Sequence, residues 1–303
     1  MPDPSQEGLR DEALRAALTA ALGGRSATLE QLLARHGGQG GRPNLRLAAA
    51  FGAEMAALPG VVAPLLERLA GNDAAPDTPE VFLPVAAAYG WAARLGAKHE
   101  VGTAWEALAL LAGDERAPVR VGTVEALAAL ATRPRNASAL LERAGGWLEL
   151  EDREIRFGAA GVVVEVFARR QVLATLSDPG PLLDYLSRAI ATVVDAPRAA
   201  ERSEARRRLL LALPRTLSAV AATFTAGDRG PDWLAEQCRE ARHPDLRAAF
   251  SNAIVSLGDK ASGQGALLAQ RLRTALEESA KPPRDPTRRR PGAARGRTSR
   301  PVR

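Results

Sequence analysis

Apolar residues return to one helical face again and again along this chain. Val62, Leu65, Leu66 and Leu69 stand at i, i+3, i+4 and i+7, and Val124, Leu127, Ala128 and Ala131 repeat the spacing. That is the mark of an amphipathic helix with one buried stripe. The pattern predicts a first helix over residues 9–22 and a second from about 27 to 35, broken by the glycine-rich run 37–41. Pro43 fits the first turn of the next helix, which runs to about 58. Further on, the spacing predicts a helix from 61 paired with 79–95, then 101–112 with 117–132, and 136–148 with 153–170. It continues with 181–194 paired with 202–224, 231–242 paired with 244–257, and a closing helix over 266–279. Two segments strain the pattern. Pro214 is expected to kink or interrupt its helix. The run 161–167 is β-branched enough for a strand, but Ala160, Val163, Val164 and Phe167 keep helical spacing, so it is read as helix.

A short phrase recurs about every 36 to 40 residues. It appears as Leu45-Arg46-Leu47-Ala48, Val119-Arg120-Val121-Gly122, Ile155-Arg156-Phe157-Gly158 and Leu246-Arg247-Ala248-Ala249, with a degenerate copy near Leu83. A period of this length signals stacked helical hairpins. The small residue two places after each arginine lets the second helix of one hairpin approach its neighbours closely. The apolar residue before the arginine plugs the gap under the turn. The arginine itself can reach carboxylates or carbonyls in that turn, and Asp114, six residues ahead of Arg120, is a candidate partner.

The Asp114…Val119-Arg120 spacing resembles HEAT repeats, helical hairpins with an acid in the turn and a basic residue early in the second helix. The resemblance extends loosely over perhaps 230 residues and is best at 101–132, 138–170 and 232–257. It implies an all-α fold, a right-handed α-α superhelix (a HEAT-like, armadillo-like α-solenoid) of about six hairpins whose second helices line a concave face. It also implies binding or scaffolding rather than catalysis, with a protein or peptide held on that face. On this reading residues 1–26 form a capping helix, 27–280 the repeats and 281–303 a tail. Arg46, Asp114, Arg120, Arg156 and Arg247 form a structural ladder between repeats.

Charge is unevenly spread. Residues 281–303 hold nine of the 41 basic residues and one of the 35 acids; the other 280 residues carry 32 and 34. The body is therefore slightly acidic, which argues against a phosphate-binding row of ladder arginines. The tail contains Arg288, Arg289, Arg290, Arg295, Arg297 and Arg300, five prolines and almost nothing apolar. It is expected to be disordered, and a second reading makes it an electrostatic anchor for nucleic acid.

Candidate chemistry is sparse. One cysteine, Cys238, excludes an internal disulfide, and His36, His99 and His243 have no metal-ligand spacing. Gly37-Gly38-Gln39 resembles the tripeptide of peptide-release factors, but its flanks do not match. One enzyme class with HEAT-like hairpins, the DNA alkylpurine glycosylases, grips damaged bases with Trp and Asp. Trp147 with Glu151 and Asp152, and Trp233 with Asp232, are the only such groupings here and lie outside that family's motif. No cofactor, metal or catalytic residue is expected. No run approaches the ~18 apolar residues of a membrane span, and the opening residues do not form a signal peptide. A cytoplasmic protein without membrane contact is the expectation.

Overall fold

The structure, a computed structural model, describes residues 4–39, 42–259 and 263–279. Its elements are helical except for one antiparallel pair of two-residue strands, β1 (Gly38–Gln39) and β2 (Arg42–Pro43). Helix α1 (Pro4–Leu22) packs on α2 (Ala27–His36). From α2 the helices are taken two at a time in chain order: α2 and α3 (Leu45–Ala57), then α4 (Ala63–Ala70) and α5 (Phe82–Gly96), which pack together, and α6 (Val101–Gly113) and α7 (Ala117–Leu130), which also pack together. Next come α8 (Pro134–Trp147) with α9 (Arg153–Phe167), the single turn α10 (Arg170–Leu173), and α11 (Gly180–Val194) with α12 (Glu204–Thr223). The last pair is α13 (Arg229–Glu240) with α14 (Pro244–Asp259), and α15 (Gly263–Glu278) closes the series.

The second helix of each successive two packs in order, α3 on α5, α5 on α7, α7 on α9, α9 on α12 and α12 on α14. One apolar core runs from Leu14 on α1 to Leu276 on α15. The β-branched run on α9 is helical because it is enclosed. Val162, Val163, Val164 and Val166 are all buried between neighbouring helices, and packing on every side outweighs a propensity difference of less than 1 kcal/mol per residue.

The small residue of the repeated phrase sits where helices touch. Ala48, Gly122, Gly158 and Ala249 are all buried. A Cβ at Gly122 would lie 2.6 Å from Val85 Cγ1, and one at Gly158 would lie 2.8 Å from the Gly113 Cα. Leucine or valine at these positions would push adjacent pairs apart.

One expectation is overturned, and of another, a kink or an interruption at Pro214, the interruption is not seen. Pro43 is not in a helical first turn. It closes the β1–β2 hairpin, and Asn44 caps α3 by accepting from the Leu47 N–H while donating to the His36 carbonyl. Gly38, at φ +146°, makes that hairpin possible, since a Cβ there would lie 2.2 Å from the Arg42 carbonyl oxygen. Pro214 does not end α12, which continues through it to Thr223. Buried Leu209, Leu213 and Leu217 hold the turns on both sides. Thr216 Oγ1 donates to the Val164 carbonyl at 2.7 Å, tying that region to α9.

Candidate functional site

Three of the four ladder arginines turn inward to the chain's own backbone. Arg120 Nη1 donates to the Asp114 carbonyl at 3.0 Å and to that of Glu115. Arg156 Nη1 donates to the Leu150 carbonyl at 3.2 Å, and Arg247 Nη1 to the Ala241 carbonyl at 3.3 Å and the Leu276 carbonyl at 2.9 Å. Each reaches back six residues to a carbonyl left unsatisfied where the first helix of the pair ends. Arg46 is exposed at the corresponding place on α3.

Asp114 gives Arg120 its carbonyl rather than its carboxylate. The carboxylate is held in a fork by Arg116, at 2.9 Å from Nε and 2.6 Å from Nη2, and also accepts the Arg116 N–H. Arg116 then donates to the carbonyls of Asn72 and Ala74 in the preceding pair. Two more arginines with this role lie outside the repeated phrase. Arg94, 1% exposed, pairs with Glu100 and bonds three carbonyls. Arg206, 2% exposed, pairs with Asp245 at 2.8 Å. The signal for Arg94 is a lone arginine inside an apolar helical run, whereas Arg206 opens the triplet Arg206-Arg207-Arg208 just ahead of Leu209.

The outward face of the second helices is unusual. On α3 it presents Ala49, Gly52, Ala53 and Ala56; on α5, Tyr89, Ala92, Ala93 and Gly96; on α7, Ala126, Ala129 and Leu130. Each set keeps helical spacing beside the core stripe of its helix, and Gly52, Ala92, Ala126 and Leu130 are themselves buried. Solvent-facing helix positions are ordinarily polar. Here they enclose a trough of about 430 Å³ with Ala49, Ala53 and Ala129 on its exposed rim and Gly52, Ala92 and Ala126 in its floor.

The same stripe changes character on α9 and α12. Glu165, Ala168 and Arg169 face Arg208, Leu211, Ala212 and Arg215 across a cleft of about 340 Å³. Leu211 is 72% exposed there. Arg169 pairs with Glu125 of α7, and Arg208 with Glu204 at 3.4 Å. Glu165 stands open at the lip, yet the protein around its carboxyl raises its pKa, against the pull of Arg120, Arg169 and Arg215. Burial and the like charge of Arg208 disfavour the charged form of Arg120. Tyr89 links trough to cleft: burial, then the charge of Glu125, push its phenol up to about 12, with Arg169 opposing.

The structure also brings Trp147, Glu151 and Asp152 together, in a groove on the first helices α6 and α8. Asp152 is committed to capping α9, accepting from the Glu154 and Ile155 N–H groups. Trp233 donates to Ser187 Oγ at 2.9 Å, and Asp232 pairs with Arg271. The tail arginines Arg288, Arg289, Arg290, Arg295, Arg297 and Arg300 lie outside the described residues. Cys238 is buried on α13, and its thiol is pushed up to about 12 by that burial. Among the described residues no cluster of His, Cys, Asp and Glu has a metal-binding arrangement, and no helix is long and apolar enough to cross a membrane.

The chain matches no protein-family model, no curated protein and no solved structure.

Proposed function

We propose that the chain is a non-catalytic binding protein, a HEAT-like α-solenoid whose second helices line the concave face of a right-handed superhelix and hold a protein or peptide segment there. The observation that carries this reading is the composition of that face: a trough of small residues running into a cleft lined by arginines. Small side chains let a partner's backbone or apolar side chains come close, and little side-chain entropy is lost on contact. The guanidinium groups of Arg208 and Arg215 at the far end fix orientation by charge. A peptide with an apolar stretch followed by acidic residues is the complementary shape.

Selecting a displayed peptide library against the full chain tests this. Ala53 and Ala129 are exposed on the rim, so an Ala53→Gln/Ala129→Gln chain is expected to fold as the parent does. It should bind the selected peptides at least about tenfold more weakly, a loss of about 1.4 kcal/mol. Leu110→Gln, in the groove of the first helices, should leave affinity unchanged. Peptides indifferent to the rim substitutions would place the binding surface elsewhere.

A further inference from the structure

The groove on α6 and α8 is a second surface with its own chemistry. It encloses about 430 Å³, and its apolar wall is Trp105, Leu110, Trp147, Leu150 and Ile155. Leu110 is 61% exposed. The two indoles meet edge to face, with centroids 6.2 Å apart and planes at 64°. Trp105 and Trp147 are 8% and 6% exposed, yet neither indole N–H has a hydrogen-bond partner among the described residues. The N–H of Trp91 also lacks a partner but is sealed in the core; those of Trp105 and Trp147 are not sealed. An indole N–H at the surface is a donor that an occupant can take over from solvent. The charge of the groove is acidic, with Glu106, Glu151 and Asp152 against Arg143. Among the described residues neither Glu106 nor Glu151 has an ion-pair partner.

An occupant must therefore offer cations to the carboxylates and indole faces, and backbone carbonyls to the indole N–H groups. One segment of this chain fits. Residues 281–303 hold nine basic residues and one acid, and their five prolines oppose a helix that would satisfy its own carbonyls. Arginine over the face of tryptophan is the favoured cation–π geometry, and extended proline-rich chains dock in aromatic-lined grooves. The reach is sufficient. Helix α15 packs on α13, α13 on α11 and α11 on α8, three steps of about 8–10 Å each. Extended chain advances about 3.1 Å per residue, so roughly ten residues beyond Ser279 bring Arg288, Arg289 and Arg290 to the groove.

We infer that residues 288–300 dock into the Trp105–Trp147 groove of their own chain, guanidinium groups against the indoles, Glu106 and Glu151. Tethering sets an effective concentration on the order of millimolar, so modest contacts suffice. Docking in this way masks the arginines that would otherwise track phosphates.

A bimane dye on Ser299→Cys reads the contact, because tryptophan quenches bimane at van der Waals range and buried Cys238 does not compete for the label. In the full chain the dye is expected to be roughly threefold dimmer than in a Glu106→Arg/Glu151→Arg chain, where the groove repels the tail. Both substituted residues are exposed, so folding is preserved. Trp147→Phe should also restore brightness. Raising salt from about 0.1 M to about 1 M, which shortens the Debye length from about 10 Å to about 3 Å, should do the same. A bright dye in the parent, or quenching unmoved by the charge reversal, overturns the inference. Quenching that fades on dilution assigns the groove to a second copy's tail and overturns it equally. A duplex DNA that binds the parent and the charge-reversed chain alike shows a tail already free, and does so too.

Discussion

An Arg94→Ala chain is expected to be about 3–5 kcal/mol less stable than the parent, the cost of leaving a buried charge without its partner. Arg94 Nε donates to Glu100 Oε2 at 2.8 Å, Nη1 to the carbonyls of Met55 and Leu58 at 3.3 and 2.6 Å, and Nη2 to that of Gly60 at 2.8 Å. The other carboxylate oxygen of Glu100 accepts from the N–H groups of Val62 and Ala63, at 3.0 and 2.9 Å, where α4 begins. One ion pair thus joins the end of α3, the start of α4, the end of α5 and the residue that opens α6. Arg94→Lys should recover little, because an ammonium cannot present the planar fork that three separated acceptors require. Urea unfolding checks this, with a lower midpoint and an unchanged slope.

The same pair sets an acid dependence. Burial acts to raise the pKa of Glu100, but the hydrogen bonds from Ala63, Val62 and Arg94 outweigh it and hold the carboxyl below its ordinary range. A depressed folded-state pKa contributes stability that is complete above the ordinary carboxylate value and lost as pH falls through the depressed one. Glu100→Gln should therefore cost most near neutrality, and its gap from the parent should close in acid.

The second large effect is steric. Gly158→Val is expected to destabilise by about 3 kcal/mol, at the upper end for overpacking. Gly158→Ala is the sharper case. Alanine gains about 1 kcal/mol over glycine in a helix interior. Its Cβ, however, would lie 2.8 Å from the Gly113 Cα and 3.2 Å from the Ala112 carbonyl oxygen. Both are backbone atoms that cannot rotate away, so the clash should win and Gly158→Ala should destabilise by about 1 kcal/mol. At Gly102, where a Cβ would meet nothing within 4 Å, alanine should stabilise instead. Comparing the two unfolding curves separates packing from propensity.

Most of the helices could be read from apolar spacing, including the valine-rich α9, because its buried positions keep the helical period even where its residue types do not. The small residue of the repeated phrase was legible for the same reason: Gly122 and Gly158 recur at one place in the period. The partner of Arg120 was not. Spacing places Asp114 within reach but does not say which of its oxygens faces the arginine, and Arg116, two residues from the acid, takes the carboxylate. Arg94 escaped because it lies in no repeated phrase, only in the apolar stretch Trp91-Ala92-Ala93-Arg94-Leu95. The trough escaped because alanine and glycine read as core filling. Ala49, Gly52, Ala53 and Ala56 fit a helical stripe as well as the core residues Ala48, Phe51 and Met55 do, and only the packed neighbours decide which stripe is covered. The tail's charge was plain in the sequence, whereas its counterpart is assembled from Trp105, Glu106, Trp147 and Glu151 on two helices.

Two kinds of arginine therefore divide this molecule: those that hold its turns and those that line its outward face. Thermal unfolding of four single substitutions tests that division most directly. Arg156→Met and Arg247→Met remove charged donors from turn carbonyls, worth about 1.5–3 kcal/mol each, and should lower the Tm by about 3–12 °C at roughly 2–4 °C per kcal/mol. Arg208→Met and Arg215→Met remove cleft arginines whose contribution to folding is at most an exposed i,i+4 pair, about 0.3–0.5 kcal/mol, and should leave the Tm within about 1–2 °C of the parent. Cleft substitutions that unfold the chain as readily as ladder substitutions, or ladder substitutions without effect, would contradict it.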